Sequence, residues 1–440
     1  MGKKVVKFGG SSLASAEQFK KVGAIVLSDP DRRYVVPSAP GKRNKNDTKV
    51  TDMLYDCYAA AANGENFDGK LKAIRLRYQE IIDGLGIDLS LQLEFEEIRQ
   101  NFLNHIGSDY AASRGEYLNG RIMAAYLGYE FIDAASVIYF RQDGQFDSEK
   151  TEAILSQRLA NTEYAVIPGF YGAYPNGAIH TFSRGGSDIT GSIVSRAAKA
   201  DVYENWTDVS GFLIADPRII DDPKRIDVIT YKELRELAYM GATVLHEDAI
   251  FPVRQAGIPI NIRNTNEPDD PGTMIVATTC RQPKYTITGI AGKKGFVSIN
   301  IEKDQMNTEI GFGERVLRCF ADNGISFEHM PSGIDTMTIV VHQDEFEEKE
   351  QQVLSGIQML AKPDHVEVET DLALIAVVGR GMRSTRGTAG RIFSSLAHQR
   401  VNVRMIDQGS SELNIIIGVA QEDFERAIKG IYDIFVTARL

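Results

Sequence analysis

The chain has 440 residues, 43% hydrophobic and 25% charged, with a formal net charge of −11 at pH 7. At about 150 residues per domain this is two to four globular domains, and an acidic balance with no long basic run argues against nucleic acid and anionic membrane as partners. Cys57, Cys280 and Cys319 are widely scattered and fit neither a disulfide framework nor a metal spacing, so reduced thiols in a cytoplasmic protein are expected.

The N-terminus enters a strand without a signal-peptide pattern, and Val6 stands where a myristoylation signal needs Ser or Thr. Val5-Val6-Lys7-Phe8 reads as a buried strand, followed by Gly9-Gly10-Ser11-Ser12 and a helix through Glu17–Val22. Strand, glycine turn and helix form an anion-holding arrangement, because glycines let amide N–H groups approach a phosphate and the helix start adds a positive end. Lys7 sits just before that turn, yet the spacing is not that of a Walker loop.

Tyr34-Val35-Val36 predicts a second strand, and Thr51-Asp52 the capped start of a helix. Helical periodicity runs from Phe67 to His105, and Ser113–Leu118 reads as another helix start, with Glu116 favoured there by the helix dipole. Ala165–Ile167 is a strand before a turn at Pro168-Gly169. A second paired-glycine turn, Arg184-Gly185-Gly186-Ser187-Asp188, again precedes a helix. Thr207-Asp208 and Asp216-Pro217-Arg218 lie in a polar, turn-rich stretch around the only tryptophan, Trp206. His246 lacks partners at a metal-ligand spacing, so no metal site is predicted.

Beyond Ile262, polar turns mark a boundary, and the remaining chain repeats itself. Phe320–Phe327 aligns with Leu396–Val403 and Met337–Val341 with Leu413–Ile417, all at an offset of 76. Each copy reads as a ferredoxin-like βαββαβ module. Ala376–Gly381 imitates the start of a dinucleotide fingerprint, but Ser384 replaces its third glycine.

Taken in order, Lys7–Ser12, Gly115-Glu116, Arg184–Asp188, Thr207-Asp208 and Asp216–Arg218, followed by the paired modules, resemble the aspartate kinase family over nearly the whole chain. The resemblance implies an α/β fold, with a three-layer α/β/α amino acid kinase domain over residues 1–280. Two ferredoxin-like ACT modules would follow over 285–365 and 366–440, an exchange of strands between them being compatible with the pattern. It implies ATP, Mg²⁺ and L-aspartate as cofactors and substrate. Lys7 would neutralise the transferring phosphoryl group with the amides of Gly9 and Gly10 and with Ser11 nearby; Asp188 would orient Lys7. Glu116 would take the substrate ammonium, Arg184 its α-carboxylate, and Thr51 would contact the substrate; Thr207, Asp208 and Arg218 would line the nucleotide site.

Met306, Thr308, Gly311, Phe312, Ser326, Phe327 and Glu328 occupy the family's effector positions, and a cationic effector such as lysine suits Glu328. A homodimer or homotetramer paired through ACT modules is expected. The chain departs from the family pattern at Leu213, where many members have tyrosine, at Thr243 in place of lysine, and at Glu247 in place of proline.

Overall fold

The computed structural model describes residues 2–183, 185–242, 245, 247–279 and 283–438. The chain forms two units: Met1–Phe212, Asp227–Tyr231 and Val244–Thr279 in the first, and Leu213–Ile226, Lys232–Thr243 and Cys280–Leu440 in the second.

The first unit opens with β1 (Lys4–Phe8), α1 (Ala16–Leu27) and β2 (Arg32–Pro37). Four helices follow: α2 (Val50–Ala62), α3 (Asp68–Leu85), α4 (Gln92–Leu103) and α5 (Ser108–Leu127). Then come β3 (Glu130–Phe131), α6 (Ser148–Ala160), β4 (Ala165–Val166), the hairpin β5 (Tyr171–Ala173) and β6 (Ile179–Thr181), α7 (Gly186–Ala198) and β7 (Val202–Thr207). The unit is completed by β8 (Val228–Thr230), α9 (Glu247–Ala256), β9 (Ile260–Asn264) and β10 (Thr273–Val276); α8 (Tyr231–Tyr239), which follows β8, belongs to the second unit from Lys232 onward.

Eight strands form one sheet in the order β3-β4-β2-β1-β7-β9-β10-β8, parallel throughout except for the β9–β10 pair. The central strand β1 is flanked by parallel neighbours and buried on both faces, which explains its near-continuous apolar run. Alternation assigns its side chains: Val6 and Phe8 join the core of α1 to α5, whereas Lys7 points to the opposite face, toward α7. Helices α6, α7 and α9 pack on one another, and α7 lies against β1, β2 and β7. Helix layer, sheet and helix layer are the three layers expected.

Two helix starts differ from the sequence reading. Helix α2 begins at Val50 with Lys49 at its N-cap, so Thr51 lies inside the first turn and caps nothing. Helix α5 begins at Ser108, after Gly107 at φ 121°, and carries Asp109 in its first turn. Glu116 is therefore two turns inside α5, beyond the reach of the dipole, which acts over the first turn.

In the second unit, β11 (Gly289–Glu302), α10 (Phe312–Asp322), β12 (Phe327–His329), β13 (Thr336–His342), α11 (Gln343–Glu347) and α12 (Glu350–Leu360) precede β14 (His365–Val378). The chain continues through α13 (Thr388–His398), β15 (Val403–Asp407), β16 (Asn414–Ala420) and α14 (Phe424–Tyr432). A six-stranded sheet runs β12-β13-β11-β14-β16-β15. The long strands β11 and β14 serve both repeats. Phe296–Glu302 pairs with β13 and with His365–Glu369, while Gly289–Lys294 pairs with Leu372–Val378, itself against β16. Each repeat thus has four strands in ferredoxin-like order, and the fourth strand of the second is supplied by residues preceding the first.

The repeat offset is 76 from α10 to α13 but not throughout. Phe327 pairs with Val341, whereas Val403 pairs with Val419, so the third strand of each repeat is related by 78. The second copy holds two more residues in its strand–strand loop.

Candidate functional site

Parallel pairing sets Lys7 beside Asn205 on β7, and the Gly9 amide continues the ladder by donating to Trp206 O at 3.0 Å. The turn then closes through Ser12 N to Gly9 O at 3.1 Å. Gly10 is required by proximity, since a Cβ there would sit 2.8 Å from Ala39 O and 3.2 Å from Gly41 N. The second paired-glycine turn enters α7 through Gly185 at φ 59°, a left-handed angle suited to glycine.

These turns meet. Lys7 Nζ lies 2.6 Å from Asp188 Oδ1 in the first turn of α7, with side chains 9% and 17% exposed. The same carboxylate oxygen accepts from Asn205 Nδ2 at 2.8 Å. Ser11 is exposed beside the loop, whereas Ser12 is buried and shares a 2.8 Å hydrogen bond with Thr265 Oγ1.

Segment 37–41 links this loop to α5. Ser38 N donates to Phe8 O, Gly41 N donates to Gly10 O, and Asn119 Nδ2 donates to Ser38 O. On the other side of the segment stands Glu116. Burial pushes its carboxyl up to about 8, against the lowering effect of hydrogen bonds from the amides of Ala39 and of Glu116 itself. Glu116 Oε2 is buried and has no hydrogen-bond partner among the described residues. A Cβ on Gly115 would stand 2.8 Å from Ala39 Cβ and 3.7 Å from Thr51 Oγ1, so the glycine lets α2 and α5 close up and brings Thr51 into the same neighbourhood as Glu116.

Thr207 and Asp208 lie at the C-terminal end of β7, with the Thr207 hydroxyl donating to Asp208 Oδ1 at 3.2 Å. Lys7, Gly9, Gly10, Ser11, Thr51, Glu116, Asp188, Thr207 and Asp208 all belong to the first unit. Arg218 belongs to the second, 86% exposed and paired with Asp216 at 2.6 Å. Arg184 and Thr243 lie outside the described residues. Leu213 forms an isolated bridge with Arg225.

Among the effector positions, Met306 and Phe312 are buried in the first repeat's core, and the Thr308 hydroxyl donates to Gln305 O. Gly311 caps α10 at φ 79°. Ser326 is exposed and Phe327 partly so. Glu328 is not a solvated strand end: its side chain is 5% exposed, accepts from the Tyr239 hydroxyl at 2.6 Å and faces His342 Nε2 at 3.4 Å.

Asn205 and Thr265 are site residues that sequence reasoning missed. Both sit next to motif residues because of the order of the strands, and the one local sign at Asn205 is an amide within a short strand that also carries Glu204 and Thr207.

Comparison with known proteins shows the family and the fold. Residues 2–264 match the Amino acid kinase family and residues 375–435 an ACT domain. Aspartokinase 3 of Bacillus subtilis is 39% identical over 453 residues, covering 98% of each chain. The crystal structure of Clostridium acetobutylicum aspartate kinase superposes with a TM-score of 0.90 at 52% identity, covering 99% of this chain and 100% of that one. E. coli aspartokinase III in complex with aspartate and ADP (R-state) gives 0.70 at 26% identity, covering 98% and 99%. The same E. coli protein in complex with lysine and aspartate (T-state) gives 0.71 at 25% identity, covering 99% of each chain. The chain belongs to the aspartokinases, within the amino acid kinase family, and carries an ACT domain in its C-terminal part.

Proposed function

We propose that the cleft between the two glycine turns transfers the γ-phosphoryl group of ATP to the β-carboxylate of L-aspartate. The product is 4-phospho-L-aspartate, which feeds the synthesis of lysine, threonine and methionine. The observation that carries this reading is the Lys7–Asp188 pair at 2.6 Å, which joins one glycine turn to the other with the cation at their meeting point.

A carboxylate oxygen of the substrate attacks the γ-phosphorus in line, and the bond from that phosphorus to the bridging oxygen of ADP breaks. Because the attacking carboxylate is already ionised, no general base is needed, and catalysis reduces to alignment and charge neutralisation. Lys7 meets the transferring group, with the amides of Gly9 and Gly10 and the hydroxyl of Ser11 beside it, and Asp188 holds Lys7 in place. Glu116 receives the substrate ammonium, Thr51 contacts the substrate next to it, and Arg184 takes the α-carboxylate. Thr207 and Asp208 line the nucleotide side.

Among the described residues no group of three or more His, Cys, Asp or Glu could hold a metal. Mg²⁺ would arrive with the phosphates of ATP, beside Lys7 and the amides of Gly9 and Gly10, and would supply charge neutralisation there. Free, buried Cys57 and Cys319 suit a reducing cytoplasm, and among the described residues no helix is long and apolar enough to cross a membrane.

Residues 1–280 form the catalytic domain in this reading, and 285–365 and 366–440 the two ACT modules, with an amino-acid effector bound by the first. Lysine is favoured by the acidic Glu328 and by the lysine complex of E. coli aspartokinase III. Ile310 at 98% and Ile334 at 68% exposure leave apolar surface on the first module for pairing between two chains.

The test is a hydroxylamine trap for acyl phosphate, with ATP, Mg²⁺ and each of several amino acids. Hydroxamate formation with aspartate, abolished in Lys7→Ala, is expected. Turnover unchanged in Lys7→Ala rejects the role of Lys7, and product from glutamate alone rejects the substrate.

A further inference from the structure

We infer that Asn205 is a positioning residue of the phosphoryl-transfer centre, acting on Lys7 through Asp188; the inference rests on the role proposed above for Lys7. On β7, Tyr203 and Asn205 are two residues apart and therefore face the same side of the sheet, toward α7. Each holds Asp188 at a different point. The Tyr203 hydroxyl donates to Asp188 O at 3.1 Å, and Asn205 Nδ2 donates to Asp188 Oδ1 at 2.8 Å. Space for the first contact comes from Gly191, where a Cβ would lie 2.5 Å from the Tyr203 oxygen.

The carboxylate is thus fixed by β7 before it meets Lys7 Nζ, which comes from the neighbouring strand β1 at 2.6 Å. Asn205 is 3% exposed in the middle of a central strand, where an apolar side chain would pack without the cost of burying an amide. The amide has one orientation that serves here, since a carboxylate accepts and only the NH₂ end donates. Without that donor, Asp188 can rotate about its side-chain bonds and take the Lys7 ammonium with it. A displacement of about 1 Å at a reacting group is worth up to about 100-fold in rate.

The test is Asn205→Leu, of similar volume, assayed with ATP and aspartate by hydroxamate formation. We expect kcat to fall about 10- to 100-fold while both KM values stay within about threefold, because Asn205 orients the transferring cation and touches neither substrate. In an Asp188→Asn background the same substitution should change kcat by less than about twofold, since its effect passes through Asp188. An unchanged kcat, a loss confined to KM, or a loss fully additive with Asp188→Asn would overturn the inference.

Asn205→Asp keeps the shape and sets a carboxylate against Asp188; a kcat at least as low as that of the leucine variant is expected, and wild-type kcat would again contradict the assignment. A readout independent of turnover is the rate at which Lys7 is acylated by acetic anhydride, followed by mass spectrometry. That rate should rise in Asn205→Leu as the lysine loses its fixed partner, and an unchanged rate counts against the inference. Wild-type protein that forms no acyl phosphate while Lys7 labelling responds to Asn205 would reject the proposed reaction and leave the positioning role standing.

Discussion

Two of the buried charged side chains of the first unit, Lys7 and Glu116, are treated in opposite ways. Lys7 is 7% exposed and meets a counter-ion, Asp188, at 2.6 Å, with Asn205 fixing that counter-ion in turn. Glu116 is 5% exposed, holds backbone amides but no cation among the described residues, and is pushed up to about 8 by burial. In the proposed reading, the Lys7 end of the site is complete before substrate arrives, and the Glu116 end is left for a cation to complete. A group that neutralises charge in a transition state works best preorganised, whereas a group that recognises an ammonium gains selectivity by being costly to ionise alone.

The largest effect is expected at the complete end. If Lys7 meets the transferring group, Lys7→Ala should lower kcat about 1000-fold or more and, by leaving Asp188 without its cation, cost roughly 3 kcal/mol of stability, read by hydroxamate assay beside urea unfolding. A fall of less than about tenfold would mean that the pair is structural.

Next comes Glu116→Gln, which should weaken aspartate binding about 100-fold while stabilising the unliganded protein. The sign follows from linkage. Above 4.5 the unfolded chain releases this proton while the native state keeps it up to about 8, so native stability falls as pH rises through that window. The loss approaches about 1.4 kcal/mol per pH unit. Thermal midpoints at pH 5 and pH 8 should therefore differ less in Glu116→Gln than in wild type, and equal differences would contradict the burial account.

A related and smaller effect is the pH dependence of substrate affinity. The Kd for aspartate should fall by up to about tenfold per unit between pH 6 and 7.5 and level off above about 8, with no such slope in Glu116→Gln. Isothermal titration across that range reads it directly. Smallest is Gly115→Ala, whose Cβ would press on Ala39 Cβ at 2.8 Å. A cost of about 1–3 kcal/mol and a modest rise in KM for aspartate are expected, with kcat little changed.

The complete end was the more legible in sequence. Paired glycines before a helix, with Lys7 ahead of one pair and Asp188 behind the other, announce an anion site because backbone geometry allows few residues there. Glu116 was legible as a residue but not in its setting. Ser113 resembles a helix cap, yet it is buried within α5 and donates its hydroxyl to Tyr110 O, while the helix starts five residues earlier at Ser108. Thr51 was displaced in the same way by a two-residue ambiguity at the start of α2, where Lys49 caps without a side-chain hydrogen bond.

The role of Asn205 could not be read locally, since its neighbour Lys7 is 198 residues away and only strand order joins them. The repeat was found from its pattern, but a two-residue insertion in a loop carries no hydrophobic signal and shows only in the strand register. The burial of Glu328 was not legible in the sequence, because its partner Tyr239 comes from α8, far back in the chain.

The contrast between the two ends is tested most directly by counting protons released when aspartate binds at pH 7 in the presence of ADP, using titration calorimetry in two buffers of different ionisation enthalpy. With the Glu116 carboxyl at about 8, roughly nine in ten molecules hold the proton beforehand, so the substrate ammonium should expel close to one proton per site, and none in Glu116→Gln. Wild-type binding without proton release would contradict it.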